Sequence, residues 1–138
     1  MIPVLVLSHG DLAESILESA RNIDPHLVEQ TKAYTLPWEV DTDAATAELR
    51  DLLTSLDSGD GVLILTDMFG GTATNLALPF LQPGKIEIVT GVNLPMLVKL
   101  GSLRSQDMPL PEMAARLAES GRKSIRLASE FLRPKTTG

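Results

Sequence analysis

Four consecutive large apolar residues, Val4-Leu5-Val6-Leu7, run directly into Ser8-His9-Gly10, and the same arrangement returns as Val62-Leu63-Ile64-Leu65 before Thr66-Asp67. A strand with no polar residue in alternation cannot leave one face in water. It must be covered on both sides, as in a parallel sheet layered with helices. Ile86-Glu87-Ile88-Val89, interrupted by one acid, reads as another strand, and residues 32–36 as a weaker one. Between them the spacing predicts helices. Leu12, Ile16, Leu17 and Ala20 recur at helical intervals over 11–22, as do Ala45, Leu49, Leu52, Leu53 and Leu56 over 42–56. Further helices are predicted over 73–81, with Thr72 as its cap, over 95–103, and over 111–120. Residues 124–128 alternate weakly and read as a strand or a helix. Strands alternating with helices give an α/β fold with a mainly parallel sheet, right-handed crossovers and helices on both faces. One domain over residues 1–132 and a polar tail over 133–138 fit the 138-residue length.

Composition excludes several functions. With 12 basic against 18 acidic residues the net charge is −6, and no basic run exists to displace counterions from a nucleic acid. There is no cysteine, so thiolate chemistry and Cys-ligated metals are out. Two histidines, His9 and His26, do not suggest a metal site without further ligands beside them. His26 follows Pro25 in a predicted loop and carries no expected role. The apolar start of the chain is too short for a signal peptide or membrane span. A cytoplasmic protein without metal, cofactor or membrane insertion is expected.

In open parallel sheets, function sits at the carboxyl ends of the strands. Three strand ends carry suitable chemistry: Ser8-His9-Gly10, then Thr66-Asp67 with Met68-Phe69-Gly70-Gly71-Thr72, then Thr90-Gly91-Val92-Asn93. A neutral imidazole is a nucleophile. A carboxylate on one ring nitrogen fixes the tautomer and leaves the other lone pair free. His9 is the candidate nucleophile and Asp67 the candidate carboxylate. Gly70, Gly71 and Thr72 open a helix whose unpaired amides can receive phosphoryl oxygens, with Ser8 and Thr72 hydroxyls as added donors. Each feature alone has an ordinary reading: a structural histidine, a turn aspartate, a tight Gly-Gly turn. Convergence at one sheet edge is what makes them a candidate site. Met68 and Phe69, apolar in a loop, are either core or a docking rim.

These motifs make the chain resemble the mannose-family IIA components of the bacterial phosphoenolpyruvate-dependent sugar phosphotransferase system. The resemblance rests on His9-Gly10 with Leu12-Ala13-Glu14-Ser15, on Leu65-Thr66-Asp67-Met68-Phe69-Gly70-Gly71-Thr72 with Asn75, on Thr90-Gly91-Val92-Asn93-Leu94-Pro95-Met96-Leu97, and on Glu119-Ser120-Gly121-Arg122. It implies a phosphotransferase in which His9 is phosphorylated on Nε2, Asp67 orients it and Gly70-Gly71-Thr72 cradles the phosphate. It further implies the phosphorylated carrier HPr as donor, a IIB protein as acceptor for sugar uptake, a homodimer, and a doubly wound, mainly parallel sheet with a C-terminal antiparallel edge strand, which would be residues 124–128. Thr72 stands where serine is commoner, Ala73 where many members have proline, and Thr74 where an aromatic is frequent. A regulatory phosphorylation sensor using the same histidine is the alternative, and a non-catalytic ligand-binding or scaffold domain is the alternative of another class.

Overall fold

A computed structural model gives the fold and describes residues 1–132; the expected polar tail, 133–138, lies outside the described residues. The strands are β1 (Val4–His9), β2 (Thr31–Leu36), β3 (Val62–Thr66) and β4 (Ile86–Thr90). They form one sheet in the order β2-β1-β3-β4, every pair parallel. The helices are α1 (Leu12–Ile23), α2 (Thr42–Leu56), α3 (Thr72–Ala77), α4 (Leu94–Arg104), α5 (Leu110–Lys123) and α6 (Ala128–Phe131), with 3₁₀ turns at Pro25–Val28 and Leu78–Phe80.

The apolar strands sort their side chains by parity. Val4, Val6, Leu63 and Leu65 face α1, α4 and α5, meeting Ala13, Leu17, Leu97, Leu100 and Leu117. Leu5, Leu7, Val62 and Ile64 face α2 and α3, meeting Leu49, Leu53, Ala73 and Leu76. Two cores therefore share one sheet, as strands without polar alternation require. From β1 the chain passes to β2 on one side, then crosses over to β3 on the other. The carboxyl ends of β1 and β3 thus flank the point where strand order reverses, the crevice that open α/β sheets use for function.

Four expectations need correction. Among the described residues there is no antiparallel edge strand: α5 runs on to Lys123, and Ala128–Phe131 form a short helix. A strand needs a ladder partner, and here Ile125, Leu127, Phe131 and Leu132 project from the chain 78%, 64%, 62% and 74% exposed, against no sheet. Gly121 does not end α5, because its missing Cβ lets the helix pack on α4: a Cβ there would lie 2.6 Å from Met96 Cε. Thr72 is not the cap of α3: Gly71 holds that position, Thr72 is the first helical residue, and no side chain caps the turn. The helix stops at Ala77 and not near Leu81, since Pro79 supplies no amide to continue it.

Candidate active site

Register brings the site together. Leu7 of β1 pairs with Thr66 of β3, so His9, the last residue of β1, and Asp67, the first residue past β3, come together at the carboxyl edge of the sheet. Asp67 Oδ2 lies 2.7 Å from His9 Nδ1 and accepts the His9 amide at 3.0 Å, while its Oδ1 accepts the Met68 amide at 2.8 Å. Burial acts against ionisation of this carboxyl. The His9 amide, the His9 ring and the Met68 amide outweigh it and hold Asp67 below the ordinary carboxylate value. An ionised carboxylate only accepts, so Nδ1 must carry the shared proton. In the neutral ring, Nε2 is then the nitrogen with a free lone pair. The side chains keep 19% (His9) and 10% (Asp67) of their surface accessible, so the pair is sheltered yet reachable.

The loop after Asp67 closes on the same ring. Gly70 has φ +86°, in the left-handed region that glycine tolerates, and turns the chain back toward β1. A Cβ on Gly71 would sit 3.3 Å from His9 Cε1 and 3.2 Å from Met68 Cγ. Its backbone therefore packs against the imidazole more tightly than a residue with a Cβ would without the ring shifting slightly. The first-turn amides of α3, uncapped by any side chain, stand beside it. Thr72 is exposed at that turn. Ser8 is fully buried: its hydroxyl accepts the Ala13 amide at 2.7 Å and donates to the His9 carbonyl at 3.1 Å, which fastens the start of α1 to the end of β1. Met68 and Phe69 are 58% and 74% exposed on the outer side of the loop.

Two residues of the site were missed in the sequence. Thr74 is fully buried, and its hydroxyl spans the loop, lying 2.7 Å from Thr66 Oγ1 and donating to the Met68 carbonyl at 2.5 Å. It ties both ends of the loop that carries Asp67 and belongs to no surface. Trp38 stacks on His9, ring centroids 5.5 Å apart and planes at 19°. It comes from the fourth strand end, Leu36-Pro37-Trp38. The usable signal was strand order: β2 pairs with β1 with Leu36 opposite His9, so a residue just past β2 falls beside the imidazole.

His26 is elsewhere, in the turn leading into β2, hydrogen-bonded at 2.7 Å to Glu29, whose contact raises its pKa. Among the described residues no group of three or more His, Cys, Asp or Glu side chains could hold a metal ion. Among them also, no helix is long and apolar enough to cross a membrane. The His9 site stands open at the sheet edge. A groove of about 590 Å³ lies apart from it, along the free side of β4, lined by Thr90, Asn93, Met96, Ala118, Arg122 and Ile125.

Residues 3–118 match the family model described as the PTS system fructose IIA component. The PTS system fructose-specific EIIA component of Bacillus subtilis (strain 168) is 29% identical over 135 residues, which cover 96% of this chain and 90% of that protein. The PTS system mannose-specific EIIAB component of Escherichia coli (strain K12) is 30% identical over 128 residues, which are 91% of this chain. That alignment spans only 39% of the larger protein. Among solved structures, the mannose/sorbose specific IIA subunit of the phosphotransferase system from Enterococcus faecalis superimposes with a TM-score of 0.81 at 26% identity, covering 99% of this chain and 100% of that one.

Proposed function

The chain belongs to the IIA component family of the sugar phosphotransferase system, and on that premise we propose that it is a phosphoryl carrier with His9 as its acceptor. The observation that carries this reading is the pair of bonds from Asp67 to the His9 ring and amide, which leaves Nε2 as the free nucleophile. The Nε2 lone pair attacks the phosphorus of a phosphohistidine on the donor, HPr. The donor's P–N bond breaks as the Nε2–P bond forms, and the donor imidazole departs with its electron pair. The proton on Nδ1 stays between the ring and Asp67, whose negative charge offsets the positive ring of the phosphorylated state. The amides of Gly70, Gly71 and Thr72, with the Thr72 hydroxyl, receive the phosphoryl oxygens. Ser8 acts indirectly, by holding the end of β1. The same steps in reverse pass the group to a IIB protein, so that sugar is phosphorylated on another chain.

A histidine at the sheet edge, 19% accessible and flanked by the exposed apolar Met68 and Phe69, suits a protein partner. Met68 and Phe69 flank the site and serve as its docking rim. The acidic chain, at net charge −6, favours a basic face on the donor. The exposed Ile125, Leu127, Phe131 and Leu132, together with the unpaired side of β4 and its groove, support a homodimer that covers both.

Incubation with phosphoenolpyruvate, enzyme I and HPr should label the protein with phosphate that is stable in alkali and lost in acid. His9→Ala should take up none. Undiminished label in that variant would overturn the assignment.

A further inference from the structure

We propose that Trp38 is a positioning residue for phosphoryl transfer, fixing the plane of the His9 imidazole so that the Nε2 lone pair is held in one direction. The inference rests on the carrier reading and deepens it. Asp67 secures His9 Nδ1 through one hydrogen bond at 2.7 Å. That bond and the covalent tether at Cγ set where two ring atoms lie but still let the ring plane rock. The nitrogen lone pair lies in the ring plane, so any tilt swings it away from the incoming phosphorus. Two further contacts remove that freedom. The Gly71 backbone closes on the Cε1 edge, where a Cβ would stand at 3.3 Å. The Trp38 indole closes one face, 5.5 Å away and within 19° of parallel.

The stack is not a by-product of core packing, because Trp38 remains 81% exposed. Its place is prepared by the backbone on both sides. The Gly10 amide donates to the Leu36 carbonyl at 2.9 Å, holding the ends of β1 and β2 together. Gly10 has φ +52°, the left-handed turn that glycine tolerates, and the indole packs against it, 3.5 Å from where a Cβ would stand. A π-face beside the imidazole also favours the positive ring that phosphorylation creates.

The test uses two donors. One is phospho-HPr. The other is phosphoramidate, whose P–N bond breaks as phosphate moves to Nε2 and ammonia leaves, with no protein surface to dock. Because Trp38 is exposed, Trp38→Ala and Trp38→Phe should melt with the wild type. An aromatic pair is worth about a two- to twelve-fold change in an equilibrium. Trp38→Ala should therefore lower the maximal rate by about that factor with both donors, with KM little changed, and Trp38→Phe should restore most of it. A Trp38→Ala protein that reacts with phosphoramidate at the wild-type rate would overturn the proposal, even if it were slowed with phospho-HPr, since the indole would then only dock a protein. Trp38 is the only tryptophan in the chain. Its emission should change as label is taken up, and emission indifferent to label would equally overturn the proposal. Wild-type protein unlabelled by either donor would sink the carrier reading itself. Labelled wild type with an unaffected Trp38→Ala would sink the positioning role alone.

Discussion

Replacing Asp67 by asparagine keeps the size of the side chain and removes its charge. In the native site Oδ2 accepts two donors, the His9 amide at 3.0 Å and Nδ1 at 2.7 Å, and Oδ1 accepts the Met68 amide at 2.8 Å. Asparagine offers one oxygen. If that oxygen keeps Met68, the amide NH₂ faces Nδ1. The ring proton must then move to Nε2, which removes the nucleophilic lone pair. A neutral hydrogen bond of about 1 kcal/mol favours this unproductive tautomer by about five-fold. Loss of the charge also removes a charge-assisted bond of about 1.5–3 kcal/mol from the positive phosphorylated ring, a factor of roughly 10–150. Combined, transfer from phospho-HPr should slow on the order of 10²-fold, approaching about 10³-fold at the extreme. Rapid-quench measurement of label uptake gives the rate, and ¹⁵N shifts of the His9 ring give the tautomer. The pH dependence of stability supplies an independent check. Asp67 titrates below its ordinary 3.8 in the folded chain, so its contribution is fully present above that value and is lost as pH falls through the lower native one. The stability gap between wild type and Asp67→Asn should therefore close on acidification below 3.8. A variant that transfers at the wild-type rate with its proton still on Nδ1 would refute the reasoning.

Gly71→Ala separates contact from backbone strain, because Gly71 has φ −83°, open to any residue. The added methyl, 3.2 Å from Met68 Cγ and 3.3 Å from His9 Cε1, should displace the ring by a few tenths of an ångström. We expect roughly a ten-fold slower transfer at about 1 kcal/mol or less of stability; a wild-type rate would remove the close approach from the mechanism. The homodimer is checked by sedimentation equilibrium, which should give twice the 14.9 kDa chain mass, and by Ile125→Ser with Leu127→Ser, which should shift it toward monomer. A wild-type mass of one chain at micromolar concentration would exclude the dimer.

The fold was legible where one side chain's environment is decided by its neighbours in sequence. Val4–Leu7 and Val62–Leu65 lack polar alternation, so each had to be a strand covered on both faces, and the sheet obeys this. Elements needing a partner from far away were not legible. Residues 124–128 alternate weakly, but a strand exists only beside another, and here no edge receives them. The cap of α3 failed for a related reason: the hydroxyl of Thr72 is one residue too far along, and Gly71 takes the extended conformation at the boundary. Thr74 stands where an aromatic is frequent in the family, and nothing in its sequence neighbours shows that it is buried as a hydroxyl bridge.

The sequence by itself determined that His9, Asp67 and the Gly70-Gly71 turn would stand at one edge, because parallel strands point their carboxyl ends the same way. It determined the chemistry available there, since an imidazole, a carboxylate and a glycine-rich turn follow from residue type. The resemblance implies Nε2 as the reacting nitrogen, but the physical reason for it, a 2.7 Å contact from Asp67 to Nδ1 across 58 residues of chain, is visible only in the tertiary structure. Tertiary structure alone decided that Ser8 is enclosed and that Trp38 lies on the ring. Both depend on strand order, β2 against β1 and β1 against β3, and strand order is set by how the two cores close around the sheet, not by any local run of residues.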